Sequence, residues 1–484
     1  MQEVYLKNYW LLNLEFIETF ASLTYRDIPL PLLSNFYQYL DNSLKQEMMR
    51  EDFNNHLIIK TLDESQIQPQ FEKWLTPIQK PIQKKPIQGK TLLNFDYLRF
   101  SVSNYSQFDP NDTLILARWR KQQAYNIPVI CMADYTRQSP DIADSFIQQA
   151  HTIFASHENH PAFNNSYFKE KFLANIPLMI EKIDMVNLIF EKNLISSVVV
   201  GTTEEITSRI LTLVASSKGI PSFCLQHGVI MGEEAFFPVF ATKQVVHGFY
   251  EKDLYLQKGV EENRISVVGH PRFDDIFTIN HMSKSSLLLK MGLNAQKKIV
   301  FIATQPFNTS FYVELTKLLI KDPEIAVIIK PHPWEKSRNL VSEYVNLSKV
   351  YSSVKYVTNE VNIYDIIANS DIVVVANSTV GLEAMLLNKP VVIYKSQSLD
   401  RNYPYYDTLD GLVSHDAETA SMIIHNILYH PPTLQMGKQV RDQFLNHNYP
   451  QKTAVPKLHK LIKEMTGKSN DLSSKLSNEG TETP

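Results

Sequence analysis

Ile325-Ala-Val-Ile-Ile329 runs straight into Lys330-Pro331-His332-Pro333. Forty-six residues after His332 comes Ser378, in Asp371-Ile-Val-Val-Val375-Ala-Asn377-Ser378-Thr379-Val-Gly381-Leu-Glu383-Ala-Met385, and then Lys389-Pro390-Val-Val-Ile-Tyr394. The pattern reads strand, polar turn, strand, polar turn, helix, strand. Both turns sit where apolar strands end, and ligands of open α/β sheets bind outside the C-terminal ends of the strands.

Upstream, the same alternation begins near residue 91. Thr113–Ala117 and Ile127–Met132 read as short buried strands, and Ala143–Ala155 and Tyr167–Phe190 as helices. Ser196–Val200 is a β-branched run closed by Gly201. Thr202 and Glu205 have the spacing of a capping box, and Ile206, Ile210, Leu213 and Val214 give the next helix its apolar face. Ser222–Gln226 then delivers His227-Gly228. Repeated strand–helix–strand units predict parallel sheets with helices on both faces. After a break at 278–292 a second series starts at Lys298–Gln305.

The fold class expected is α/β, two Rossmann-like domains facing a cleft. The divisions are a helical N-terminal extension (1–76), a Pro-Ile-Gln linker (77–90), a first Rossmann-like domain (91–280), a second (281–433), C-terminal helices (434–466) and a disordered tail (467–484). Tyr37, Leu40, Leu44 and Met48 fall at helical spacing within the extension. The linker carries three Pro-Ile-Gln copies, whose prolines predict an extended crossing. The tail has almost no apolar residues.

The 48 Lys and Arg against 51 Asp and Glu leave a net charge of −3, which gives no sign of a nucleic-acid partner. Cys131 and Cys224 lie in apolar runs and read as buried thiols, with no zinc-site spacing. No run approaches the ~20 apolar residues of a membrane span, and the N-terminus lacks a basic secretory segment. A cytoplasmic protein is expected, with room for peripheral contact with the inner membrane face or an assembly complex. Neither the dinucleotide glycine fingerprint nor the P-loop is present.

The candidate chemistry lies at the strand ends. Lys330, His332 and Pro333 offer charge and an imidazole donor for phosphate, against the reading of an ordinary turn. Ser378 and Thr379 open a helix whose N-terminus suits an anion, with Gly381 permitting close approach and Glu383 placed for ribose hydroxyls. Simple N-capping explains Ser378 and Thr379 equally well until Lys330–Pro333 is considered with them. His227 reads as a general base or a structural turn histidine. Glu233 and Glu234 are alternative bases or a solvated loop pair. Arg272 suits phosphate or a hinge, and Thr304, with Gln305, is a candidate nucleotide contact. No paired acidic motif at a strand end suggests a metal.

These residues resemble the GT-B glycosyltransferase superfamily, over about 195–395. Within it the likeness is to bacterial capsule and surface-polysaccharide transferases: sialyl- and Kdo-transferase-like enzymes with HP and SS/ST motifs, and teichoic-acid glycerophosphotransferases. His332-Pro333 matches the HP motif and Ser378-Thr379 the SS/ST motif, which implies binding of the donor's phosphate and nucleoside. Gln226-His227-Gly228 is similar to the segment where the glycerophosphotransferases place a base. Val267–Asp274 is similar to the segment before the interdomain crossover. The acidic pair followed by glycine in the sialyltransferase-like enzymes has no match, since Glu233-Glu234 precede Ala235. The resemblance implies a metal-independent glycosyltransferase without a cofactor. It would move a sugar from a nucleotide-sugar donor to a glycan or lipid-linked glycan acceptor of the cell surface. The alternatives are a hydrolysing UDP-N-acetylglucosamine 2-epimerase, a CDP-glycerol glycerophosphotransferase, or a silent subunit of polysaccharide assembly. The epimerase expects a His-Arg-rich turn where this chain has Thr304-Gln-Pro-Phe-Asn308.

Overall fold

Val- and Ile-rich runs flanked by turn residues form the strands of two parallel sheets, one in each of two compact units of the chain. The computed structural model describes residues 2–294, 296–306, 308–396 and 404–468. The first unit is built from Met1–His227, Glu233–Arg272 and the chain from Thr453, and the second from Gly228–Gly232 and Phe273–Lys452.

Besides a two-residue hairpin pair (Thr24–Tyr25 with Ile28–Pro29), the first unit has one main sheet of β1 (Lys90–Asn94), β2 (Thr113–Ala117), β3 (Gln123–Ala124), β4 (Ile127–Cys131), β5 (Ile195–Val200), β6 (Ser222–Leu225), β7 (Lys243–Val246) and β8 (Ile265–Val267). Their order is β8-β7-β6-β5-β1-β2-β4-β3. Every pair is parallel except the β3–β4 edge. Strand order therefore reverses between β1 and β5. Gly201, just past β5, is required there: a Cβ would lie 2.2 Å from the Tyr97 carbonyl oxygen, so the loop after β1 crosses it in direct contact.

The first 76 residues are part of this unit's core. Helix α1 (Gln2–Phe20) buries Trp10, Phe16 and Phe20. Phe16 meets Phe36, Tyr39, Phe168 and Phe172, the last two on α2 (Ser166–Lys192). Burial of each such ring contributes roughly 1.5–3 kcal/mol. Polar residues of α1, Asn8, Asn13 and Glu15, are buried as well. Glu15 accepts from the Ile58 amide at 2.7 Å and lies 3.3 Å from His160 Nε2. Tyr37, Leu40, Leu44 and Met48 do not share one helix as expected. A 3₁₀ turn (Phe36–Tyr39) gives way to a short helix (Asn42–Glu47) because Asp41 caps a new start, accepting from the Leu44 amide.

The Pro-Ile-Gln segment runs across the surface of the same unit. Lys80 and Gln83 amides donate to the Ser216 and Gly219 carbonyls at the end of α3 (Ile206–Ser217), and the Ile87 amide to Thr466. The cap of α3 differs from expectation: Glu205 itself is the N-cap, accepting from the Ser208 amide at 2.8 Å. Thr202 instead accepts from the Glu204 amide. Arg209 is buried on α3 and donates to the Leu32, Ser34 and Thr203 carbonyls, which fixes the N-terminal segment to this helix.

The second unit has β9 (Lys298–Ala303), β10 (Ile325–Lys330), β11 (Val354–Tyr356), β12 (Ile372–Val375), β13 (Val391–Tyr394) and β14 (Val413–Ser414). All pairs are parallel, in the order β11-β10-β9-β12-β13-β14. This is the order of the dinucleotide-binding sheet, with its reversal between β9 and β12. The expected break at 278–292 contains a helix, α4 (Lys284–Met291), because Ser283 caps it through the Ser286 amide. Helix α5 (Thr309–Leu319) follows β9. The C-terminal helices divide between the units: α8 (Pro431–Asn448) belongs to the second and α9 (Val455–Thr466) to the first. There Ala454, Leu458 and Ile462 pack into the core with Leu93, Val199 and Phe223. The expected disordered tail, 467–484, lies outside the described residues beyond Lys468.

Candidate functional site

In the second unit three strands end level. Ala303 of β9 pairs with Lys330 of β10 on one side and Val375 of β12 on the other. The two outer strand ends are thus two strand spacings, roughly 10 Å, apart. The turns after them carry the sequence candidates.

His332 is extended (φ −62°, ψ 142°), as a residue before proline must be, and Pro333 opens the short helix α6 (Pro333–Ser337). Its Nδ1 accepts from the Trp334 amide at 3.1 Å. The neutral ring therefore carries its proton on Nε2, which is a donor. Glu335 holds this turn in place. It is 1% exposed and accepts from the His332 amide at 3.0 Å, from the Thr304 hydroxyl, and from the Tyr344 hydroxyl at 3.2 Å. Thr304, expected as a nucleotide contact, spends its hydroxyl inside this network, where it also accepts from the His332 amide. Lys330 is half-buried, and desolvation pulls its ammonium pKa down despite the Glu360 carboxylate.

Ser378 caps α7 (Thr379–Leu386), with its hydroxyl accepting from the Val380 amide at 3.3 Å. Thr379 is the first residue of the helix, and Glu383 is buried one turn in. Gly381 is needed for an internal neighbour. A Cβ there would lie 2.8 Å from the Tyr406 hydroxyl and 3.0 Å from Val375 Cγ2. Tyr406 ties the turn together, donating to the Ser378 carbonyl at 2.6 Å and accepting from the Leu382 amide at 3.1 Å. The arrangement can take an anion: a lysine and an imidazole N–H stand at the end of β10, and a helix N-terminus at the end of β12, with only β9 between them.

In the first unit the cavity at the reversal between β1 and β5 holds about 470 Å³ and is lined by Tyr97, Arg99, Glu204, Glu205 and His227 among others. Tyr97 (φ 64°) and Arg99 (φ 55°) are both left-handed, an unusual backbone for side-chain-bearing residues. Arg99 donates to the His227 carbonyl at 3.1 Å. The His227 ring stacks on Phe236, centroids 4.8 Å apart. Burial first, then the charges of Arg99 and Arg272, push its pKa down to about 4. His227 is therefore neutral at working pH. Arg272 ends the middle segment of the first unit, and its amide donates to His270 Nδ1 at 3.1 Å.

Glu233 and Glu234 are not a solvated pair. Glu233 accepts from the Trp10 indole and forms an ion pair with Lys258 at 2.7 Å, so it anchors α1. Glu234, 9% exposed, lines a small cavity with Tyr9 and Arg209. Two carboxylates share the His227 cavity: Glu205, which caps α3, and Glu204, which accepts from the Asn35 side chain at 3.0 Å. Among the described residues no group of three His, Cys, Asp or Glu is gathered to hold a metal ion, and no helix is long and apolar enough to cross a membrane.

Sequence reasoning missed Tyr406, Glu335 and Glu204. Glu335 had a signal: it stands three residues after His332 with proline at the first helical position, a capping box with histidine in place of serine. Tyr406 had none, since it lies 28 residues beyond Ser378, the residue it holds.

Comparison with known structures agrees with the strand orders. A UDP-N-acetylglucosamine 2-epimerase aligns with a TM-score of 0.50 at 13% identity, covering 78% of this chain and 97% of its own. A putative enzyme of that name from Listeria monocytogenes aligns at 0.51 and 11%, covering 79% and 98%. S. aureus MnaA, solved with UDP, aligns at 0.51 and 12%, covering 78% and 97%. This is a GT-B fold. Residues 252–400 match the family described as "Capsule polysaccharide biosynthesis protein", a span that contains both the His332-Pro333 and the Ser378-Thr379 turns. No curated protein sequence matches the chain. The GT-B fold and the capsule-family segment together bear out the resemblance read from the motifs.

Proposed function

We propose that this chain is a glycosyltransferase of capsule or related surface-polysaccharide synthesis, which binds a nucleotide-activated sugar in its second unit and an acceptor glycan in its first. The observation that carries the reading is the level row of strand ends at Lys330, Ala303 and Val375. Around it stand the His332 Nε2–H donor, the Lys330 ammonium and the N-terminus of α7. Those groups oppose the charge that builds on the departing nucleotide phosphate. Glu383 is the candidate for ribose hydroxyls, Ser378 and Thr379 for phosphate, and Arg272 for a further phosphate contact. UDP in the S. aureus MnaA structure makes a uridine nucleotide the first donor to try.

In the reaction the acceptor hydroxyl attacks the anomeric carbon, the bond from that carbon to the nucleotide's phosphate oxygen breaks, and the hydroxyl proton passes to a base. His227 is that base, neutral and so able to accept the proton, and Glu204 in the same cavity is an alternative. The chemistry calls for no metal and no cofactor. The work is cytoplasmic, with the acceptor presented at the membrane face.

The test is isothermal titration with CMP-, UDP-, GDP- and CDP-linked sugars, wild type against His332→Asn. Asparagine keeps an acceptor for the Trp334 amide and removes the imidazole donor. A charge-assisted hydrogen bond of about 1.5–3 kcal/mol predicts a loss of roughly 10- to 100-fold in donor affinity at unchanged melting temperature. Binding of no donor, or identical affinity in the variant, overturns the reading. Release of UDP without acceptor, alongside an epimerised sugar, would make the chain an isomerase.

A further inference from the structure

The cavity of His227 does not end at the β1–β5 reversal. Leu178, Glu205 and Ile206 also line a second cavity, of about 680 Å³, whose other walls come from Arg118 after β2, from Met132 to Gln138 after β4, and from Glu181 and Lys182 on α2. The two adjoin along those shared residues, and together they make a trough over the C-terminal ends of five strands, entirely within the first unit. Its charges cancel. The lining cations are Arg99, Arg118 and Lys182, and the lining carboxylates are Glu181, Glu204 and Glu205. Two of the cations have carboxylate partners at hand: Lys182 meets Glu181 at 3.1 Å, and Arg118 meets Asp96 at 2.6 Å. The remaining polar groups are neutral amides and hydroxyls, Asn35, Gln38, Asn175, Thr136 and Gln138 among them. Tyr97, 46% exposed, adds an aromatic face at one end.

We infer that the trough binds an uncharged oligosaccharide, with its end at His227 and at least one further sugar in the second cavity. A polyanionic chain would need a surplus of cations, which the trough lacks. Paired amides, hydroxyls and an aromatic ring instead match a chain of sugar hydroxyls and apolar ring faces. The inference rests on the reading of the first unit as the acceptor side and names the class of acceptor. Two adjoining subsites make affinity grow with chain length.

The experiment is saturation-transfer NMR and titration on the full chain without nucleotide. The probes are glucose, galactose, mannose, rhamnose and N-acetylglucosamine oligomers of one to five units, against hyaluronan and sialic-acid oligomers of equal length. The expected result is that a neutral series binds, with affinity rising about tenfold or more from one unit to three, and little response to salt. Gln138→Trp and Ala133→Trp, at exposed positions that line the second cavity alone, should abolish that rise and leave binding of the single sugar intact. Tighter, salt-sensitive binding of the charged oligomers overturns the inference. So does a neutral series that does not bind, shows no length dependence, or ignores both variants. A chain that binds nucleotide sugar yet fails these tests loses this inference alone, because the acceptor readout uses no donor.

Discussion

At the scale of single residues, burial determines protonation. His227 and His247 have pKa values pushed down to about 4 and about 3, chiefly by desolvation, and His270 lies well below its ordinary value. Glu251 is pushed up to about 7 by its own burial, although Gln226 and the Gly248 amide donate to it. The signs differ. Each histidine binds fewer protons folded than unfolded, so its contribution is present above about 6.5 and lost as pH falls toward 4. Glu251 binds more protons folded, so its contribution is present below about 4.5 and lost as pH rises through 7. With several histidines against one carboxyl, the melting temperature should fall from pH 6.5 to 4.5. Glu251→Gln should steepen that fall by removing the opposing group, as scanning calorimetry across the range would read. A flat profile in both proteins would refute neutral burial of these histidines. The position of His227 at a strand exit was legible from Ser222–Gln226. The role of Glu233 was not, because its partners Trp10 and Lys258 lie far off in sequence and only the fold brings them to it.

At the scale of elements, α7 shows how a short helix is held at a set angle to its strand. It has eight residues, too few to be stable by propensity alone. Val375 and the Tyr406 ring close over Gly381, and the Tyr406 hydroxyl bridges the first turn. Gly381→Ala should cost about 1–3 kcal/mol through overpacking, and Tyr406→Phe about 1–2 kcal/mol through the lost bridge. In combination the cost should fall short of additivity by about 0.5 kcal/mol or more, since phenylalanine removes the oxygen that a Cβ meets first. Urea denaturation of the four proteins measures this, and strict additivity would exclude the hydroxyl as the obstacle. The strands and the helices they feed were readable because β-branched runs and helical periodicity are local. Helix α4 was not, because the Ser283–Ser286 cluster reads as a loop until one serine is seen to cap the next turn. The single helix expected across residues 37–48 failed for the converse reason, an aspartate cap that interrupts the apolar spacing.

At the scale of the whole molecule, both sheets reverse strand order once, and each reversal lies beside a candidate site of its own unit: Tyr97, Glu204 and His227 in the first, His332 and Ser378 in the second. Two α/β series were evident in the sequence; the partition of the C-terminal helices was not, since amphipathic spacing states that a helix has an apolar face and not which sheet receives it. That partition has a consequence for biosynthesis. Chains emerge from the ribosome N-terminus first and domains fold as units. The second unit is finished at Lys452, whereas the first still lacks Ala454 and, on α9, Leu458 and Ile462. The domain begun first is thus completed last. A chain stopped at Lys452 should give a protease-resistant second unit and a first unit that is cleaved readily and binds a hydrophobic dye. Equal resistance of both units in that shortened chain would mean that α9 merely covers a sheet already able to stand alone.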